Sequence, residues 1–179
     1  MKRFAATRNV AVIARKTQWR LSVVIVPIRV TVPPRKDRVP VVLDTNVVLG
    51  FYLSRSPGSP NARVFRLWRD RWRLQLILSR DLINEYLEVL SRLNVAPEVI
   101  ARLAERFNLR STITLVNLGA RPKASRDPED NFLLATAVAG KASFLITNDR
   151  DLLDIPATQR KRFKFESVTP RQLLAQIEK

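Results

Sequence analysis

The chain has 179 residues, 46% of them hydrophobic, and carries 32 Lys plus Arg against 16 Asp plus Glu, a formal net charge of +16. That is enough for one domain with a proper core, and the composition is globular rather than disordered. There is no cysteine and no histidine, which excludes disulfides, thiolate nucleophiles, imidazole bases, Ser–His–Asp triads and the usual zinc sites. Any catalysis therefore falls to Asp, Glu, Lys, Arg, Ser, Thr, Asn and Tyr. Clustered carboxylates without imidazole or thiolate suit hard cations such as Mg²⁺ or Mn²⁺. The basic excess points to a polyanionic partner, most simply nucleic acid, although an Arg-rich proteome yields the same balance without one.

Residues 1–39 read differently from the rest. They hold ten basic residues and a single acid, Asp37. Leu21–Val32 has strand character but is broken by Pro27 and Arg29. Its charge-free part, Leu21–Ile28, is far short of the roughly 20 apolar residues that span a bilayer, so no membrane association is expected. Arg15, Lys16 and Arg20 sit where a secretory signal needs apolar residues, and an Arg-rich, acid-poor start also resembles an organelle transit peptide. Pro33–Asp37 reads as a linker. Three readings of this extension compete: a basic nucleic-acid-binding arm, a disordered tail, or a mis-called start of translation. The last two rank above the first. The folded domain is placed at 40–179.

The first strand is Val41–Leu43, an apolar run of the kind buried on both faces of a parallel sheet. It stops at Asp44, followed by Thr45 and Asn46. Open α/β sheets bind ligands where strands end and helices begin; equally, Asp is a favoured N-cap for the next helix. The stretch 54–60 is a loop by composition. Asn61–Trp72 reads as an amphipathic helix, with Val64, Leu67 and Trp68 opposite its arginines. Leu74–Leu78 is a strand, and Ser79 caps a helix running to about Leu93.

In that helix the apolar positions Leu82, Ile83, Tyr86, Val89, Leu90 and Leu93 define an arc. At about 100° per residue, Glu88 lies about 170° from its centre and faces water, whereas Glu85 lies about 110° away, on the border of the buried face. A border carboxylate is ordinarily solvated or salt-bridged; at a strand-end cleft it becomes a candidate ligand. Pro97 opens a plain amphipathic helix to Phe107, and Ile113–Val116 reads as a short strand. In the stretch 127–139, Asp127 suits an N-cap, Pro128 the first helical position, and Asp130 either a capping box or a site. Phe144–Ile146 is another buried strand, ending in Thr147, Asn148 and Asp149. The pattern repeats that of Asp44, and parallel strands would bring the two aspartates side by side if the strands are neighbours. Phe163–Glu166 is a candidate last strand, and Thr169-Pro170 starts a last helix.

These stretches (LDTN at 43–46, SRDLINE ending in Glu85, DPEDNFLLATAVA at 127–139 and LITNDRDLL at 145–153) together resemble a PIN domain, specifically the toxin-type, VapC-like ribonucleases of toxin–antitoxin systems. The resemblance implies an α/β fold in three layers, α/β/α, with a central parallel sheet. It also implies an acidic Mg²⁺/Mn²⁺ site, endoribonuclease activity on an RNA substrate, a protein antitoxin as partner, a possible homodimer and a cytoplasmic location. By correspondence, Asp44, Glu85, Asp130 and Asp149 match the family's acidic positions, and Thr45, Asn46 and Thr147 the polar residues beside them. Residues 1–39 have no counterpart in the pattern.

The chemistry is coherent on its own terms. Two like charges ~4 Å apart repel by about 4 kcal/mol at an effective dielectric near 20, so converging carboxylates protonate or splay unless a divalent cation holds them. Such an ion can acidify a water and neutralise charge on a phosphodiester. Arg121, Lys123 and Arg126 are candidate RNA contacts, or members of a solvated loop. Two other functions remain in view: a catalytically silent RNA-binding module on the same fold, and an aspartate-based phosphotransfer domain. The last is weakened by Asn46, which stands where the phosphatases' second Asp would be. A P-loop nucleotidase is excluded, because no Gly-x-x-x-x-Gly-Lys occurs.

Overall fold

The structure, a computed structural model, describes residues 38–54, 56–71, 73–109, 111–119 and 131–178. Five strands, β1 (Val39–Leu43), β2 (Leu74–Ser79), β3 (Ile113–Val116), β4 (Phe144–Ile146) and β5 (Glu166–Val168), form one sheet in the order β3-β2-β1-β4-β5. Every pairing is parallel. Helices flank the sheet in a three-layer α/β/α arrangement. Among the described residues these are α1 (Thr45–Tyr52), α2 (Pro60–Arg69), α3 (Arg80–Arg92), α4 (Pro97–Phe107), α5 (Asn131–Ala139), α6 (Arg150–Leu153), α7 (Ala157–Arg160) and α8 (Pro170–Ile177). No helix among the described residues is long and apolar enough to cross a membrane.

All five strands begin at the same edge of the sheet, the amino edge, and all end at the opposite, carboxyl edge. The central strand β1 is wholly apolar at Val41, Val42 and Leu43, all fully buried, as a strand covered on both faces must be. Its register places Leu43 opposite Ile146 of β4, so the residues following the two strands emerge together. The aspartates foreseen at the ends of these strands are therefore on neighbouring strands.

The helix starts follow the local chemistry. Asp44, Ser59, Ser79 and Thr169 each accept a backbone N–H from the first turn of the helix they precede, and Thr169 with Gln172 completes a reciprocal capping box. Stacked and edge-on rings tie α1 through α4 together: Phe51 on Phe65 at 4.4 Å, Phe65 on Trp68 at 5.1 Å, Trp68 on Phe107 at 6.2 Å and Tyr86 on Phe107 at 5.8 Å. Helix α5 is buried nearly all round, and its small residues Ala135 and Ala137 let it lie against β1, β2 and β4. Gly140 just after it makes a close approach, because a Cβ there would stand 2.2 Å from Ile77 Cγ2 and force a shift.

Three boundaries differ from the sequence reading. The last strand was placed at Phe163–Glu166 but runs Glu166–Val168. The chain first makes a turn after α7, where the amides of Arg162 and Phe163 bond the carbonyls of Gln159 and Arg160, and Phe163 stacks on Phe165. Helix α2 ends at Arg69 rather than Trp72, since Asp70 and Arg71 both donate to Arg66 O and turn the chain into β2. The folded body also starts earlier than residue 40. Val39 belongs to β1, and Arg38 is buried, its guanidinium bonded to Gln75 Oε1 at 3.4 Å and to the Ser111 carbonyl. The rest of the expected extension, residues 1–37, lies outside the described residues, as do Arg121, Lys123, Arg126, Asp127 and Asp130. The short helices α6 and α7 were not foreseen.

Candidate metal centre at the carboxyl edge

Asp44 sits at the end of the central strand and caps α1, its Oδ1 accepting the Asn46 amide at 3.4 Å. The capping role is thus real, but it does not account for the rest of the environment. Asp44 is only 7% exposed. Its Oδ2 accepts from Asn46 Nδ2 at 2.6 Å and from the Thr147 hydroxyl. Thr147, fully buried at the end of β4, in turn accepts the Asp149 amide at 2.8 Å. One hydroxyl therefore joins the ends of β1 and β4, holding Asp44 and Asp149 in a shared frame.

Glu85 reaches the same edge from α3. It is half-buried, as its border angle predicts, while Glu88 is exposed. Its Oε1 accepts from the Thr45 hydroxyl at 2.5 Å. The polar triplet Asp44-Thr45-Asn46 thus has divided duties: Thr45 holds Glu85, and Asn46 holds Asp44 while its Oδ1 accepts the Asn148 amide at 3.4 Å. Asp149 caps α6, with its Oδ1 accepting from the Asp151 amide at 2.9 Å.

The electrostatics follow from burial. Desolvation, opposed by the Thr147 and Asn46 hydrogen bonds and reinforced by the charges of Glu85 and Asp149, raises the Asp44 pKa from 3.8 to about 6. The charged form is short of compensation, so positive charge placed here would be stabilising. Oxygen-only donors of this type fit a hard divalent cation. Among the described residues no group of three acids stands ready to hold an ion by itself; the fourth expected carboxylate, Asp130, is outside them. Glu85 and Asp149 both lie within electrostatic reach of Asp44, and Asp44 and Glu85 are the two whose supporting hydroxyls are most direct.

Several further residues support the site through partners that the sequence does not reveal. Tyr86, fully buried, donates its hydroxyl to the Leu43 carbonyl at the very end of β1. Burial first, and then the charges of Asp44 and Glu85, push its pKa well above 10, so it remains a donor. A tyrosine inside an apolar helical arc signals a hydroxyl in need of a partner, but not which one. Asn148 Nδ2 donates to Asn61 Oδ1 at 3.3 Å, linking the β4–α6 loop to α2. Ser79 and Thr136 place their hydroxyls 2.9 Å apart beneath α3 and α5, fixing the start of the helix that carries Glu85.

Comparison with known proteins gives a family. The family model for the PIN domain matches residues 40–151. PIN domains are generally nucleases. Among solved structures, the chain is similar to one described as VapBC2 from Rickettsia felis bound to a DNA fragment from their promoter. The identity is 13%, the match covers 73% of this chain and 98% of that chain, and the TM-score is 0.48. No curated protein matches the chain significantly.

Proposed function

The chain belongs to the PIN-domain family, and from that premise we propose that it is an endoribonuclease that hydrolyses RNA with Mg²⁺ or Mn²⁺ bound at Asp44, Glu85, Asp130 and Asp149. The observation that carries the reading is Asp44 itself: a carboxylate buried at the end of the central strand, raised to about 6 and set against two further acids. Such a group destabilises the fold when ionised, and a function that needs its charge explains its presence.

When bound, a divalent cation supplies a water acidified toward neutral pH and Lewis-acid polarisation of the phosphodiester. The chain's own residues do the rest. Thr147 and Asn46 hold both Asp44 oxygens in place, and Thr45 orients Glu85. No imidazole is available as a base, so proton removal falls to the carboxylates and to solvent. Arg121, Lys123 and Arg126, preceding the acidic stretch, are proposed to hold the flanking phosphates. The resemblance of the four motifs to the toxin-type branch supports a cytoplasmic toxin restrained by a protein antitoxin, with a homodimer as a further possibility. The extension over residues 1–37 is proposed to be dispensable for the fold.

Cleavage of a mixed RNA pool by the purified protein, with Mg²⁺, with Mn²⁺ and with a chelator, tests this reading. Metal-dependent cleavage that disappears in folded Asp44→Ala supports it. Undiminished cleavage by Asp44→Ala rules it out, and RNA binding without cleavage under either metal hands the function to a catalytically silent RNA-binding module.

A further inference from the structure

The carboxyl edge holds the acids; the amino edge has a composition of its own. Of the connections that reach it, those leading into β2, β4 and β5 each deliver cations. Arg71 lies three residues ahead of β2, Lys141 three ahead of β4, and Lys161, Arg162 and Lys164 five, four and two ahead of β5. All five side chains are exposed. Among the described residues none of the five makes a side-chain hydrogen bond or ion pair, while two neighbouring acids are already engaged by other arginines. Asp70 is held by Arg69 at 2.6 and 2.7 Å, and Glu166 by Arg160 at 3.8 Å.

The arrangement follows from topology rather than from one charged helix. β2, β1, β4 and β5 are successive strands, so at ~4.8 Å per strand the belt runs about 14 Å across the amino edge. Lys141 adopts φ 52, a left-handed conformation for which glycine or asparagine is the ordinary choice; the lysine is not explained by the backbone. Within the run of bases, Phe163 is half-exposed with one face stacked on Phe165 at 5.0 Å. Interleaved cations and a half-exposed ring match what single-stranded nucleic acid asks of a surface: charge for the phosphates and a platform for a base. Unpaired cations also retain their full attraction for an incoming polyanion, unlike those committed to neighbouring carboxylates.

We propose that Arg71, Lys141, Lys161, Arg162 and Lys164 form a second nucleic-acid surface at the amino edge of the sheet, which grips the backbone of RNA at a distance from the carboxylates. The choice of RNA rests on the nuclease reading above; the surface itself does not. β1 is five residues long, which puts the two edges about 17 Å apart. A long RNA can engage both edges and a short oligonucleotide only one.

The test uses the full chain carrying Lys161→Gln, Arg162→Gln and Lys164→Gln together. A control carries Arg63→Gln, Arg92→Gln and Arg102→Gln, three exposed arginines on α2, α3 and α4. Binding of a long single-stranded RNA is followed by fluorescence anisotropy over a salt series, with melting temperatures recorded for both variants. Three lost phosphate contacts should flatten the log K against log salt slope by about two and weaken binding about tenfold at moderate salt; the control should bind within about twofold of the parent. Cleavage of a short oligonucleotide should be unchanged and that of the long RNA reduced through KM. An unchanged slope, or an equal loss in the control, overturns the proposal. If the slope falls as expected in a protein that cuts nothing with either metal, the surface stands and the nuclease reading falls.

Discussion

The two edges of the sheet carry charge in opposite ways. At the carboxyl edge Asp44 is 7% exposed, is held by two neighbours, and is raised to about 6. At the amino edge Lys161, Arg162 and Lys164 stand exposed to water. Solvent screens the second group almost completely, so its charges cost the fold little and can be exchanged freely. The first group is desolvated and partly uncompensated, so its charge is maintained against stability. A parallel sheet makes this separation possible, since it sends every strand end to one side and every strand start to the other.

The comparison breaks most sharply in activity. Asp44→Ala, Asp130→Ala and Asp149→Ala are each expected to reduce RNA cleavage by at least about a hundredfold, with Glu85→Ala severe but leaving some turnover. Glu88→Ala, one turn away on the exposed face of the same helix, should be near normal. Rates on a mixed RNA pool, read beside melting temperatures, decide this. Asp127→Ala should keep its activity and lose about 1 kcal/mol, as for an N-cap.

The next largest effect is on stability against pH. Asp44 has a raised pKa in the folded state, so the unfolded chain ionises first as pH rises from about 4. The folded state then loses stability up to about pH 6 and is level beyond it. The full swing is on the order of 3 kcal/mol. Asp44→Asn should lack this fall, and at pH 8 added Mn²⁺ should raise the melting temperature of the parent more than that of Asp44→Asn. Equal pH profiles, or equal Mn²⁺ shifts, would remove Asp44 from the metal site. Neutralising the three amino-edge bases should leave the pH profile as it is.

Smaller again is the effect of packing at the amino edge. Gly140→Ala places a methyl group against the branched, buried Ile77, and overpacking of this kind costs about 1–3 kcal/mol. Urea melts should show it, with unchanged metal dependence of what activity remains. The smallest effect is expected from truncation. A chain beginning at Arg38 should melt within about 1 kcal/mol of the full chain, whereas one beginning at residue 40 should lose more, because Arg38 bonds Gln75 and Ser111 from a buried position. Equal melting of the two truncations would show that the Arg38 contacts contribute nothing.

What the sequence determined by itself is the local part. Apolar runs ending in Asp44 and Asp149 marked two buried strands and their exits, and β3 and β4 fall where their residues placed them. The angular position of Glu85 marked it as half-buried and that of Glu88 as exposed, because a helix fixes relative directions from spacing alone. The candidate last strand at Phe163–Glu166 is displaced, since Phe163 and Phe165 stack in the segment before a strand that starts only at Glu166. The tertiary structure alone decided that β1 and β4 are neighbours, that the Thr147 hydroxyl bridges their ends and that Thr45 reaches across to Glu85. It also decided that Arg38 belongs to the body and that five scattered cations share an edge. Each of these joins residues distant in the chain. Which strands adjoin depends on how helices fill both faces of the sheet, and burial of a carboxylate depends on everything packed around it, so neither is written in a local pattern of residues.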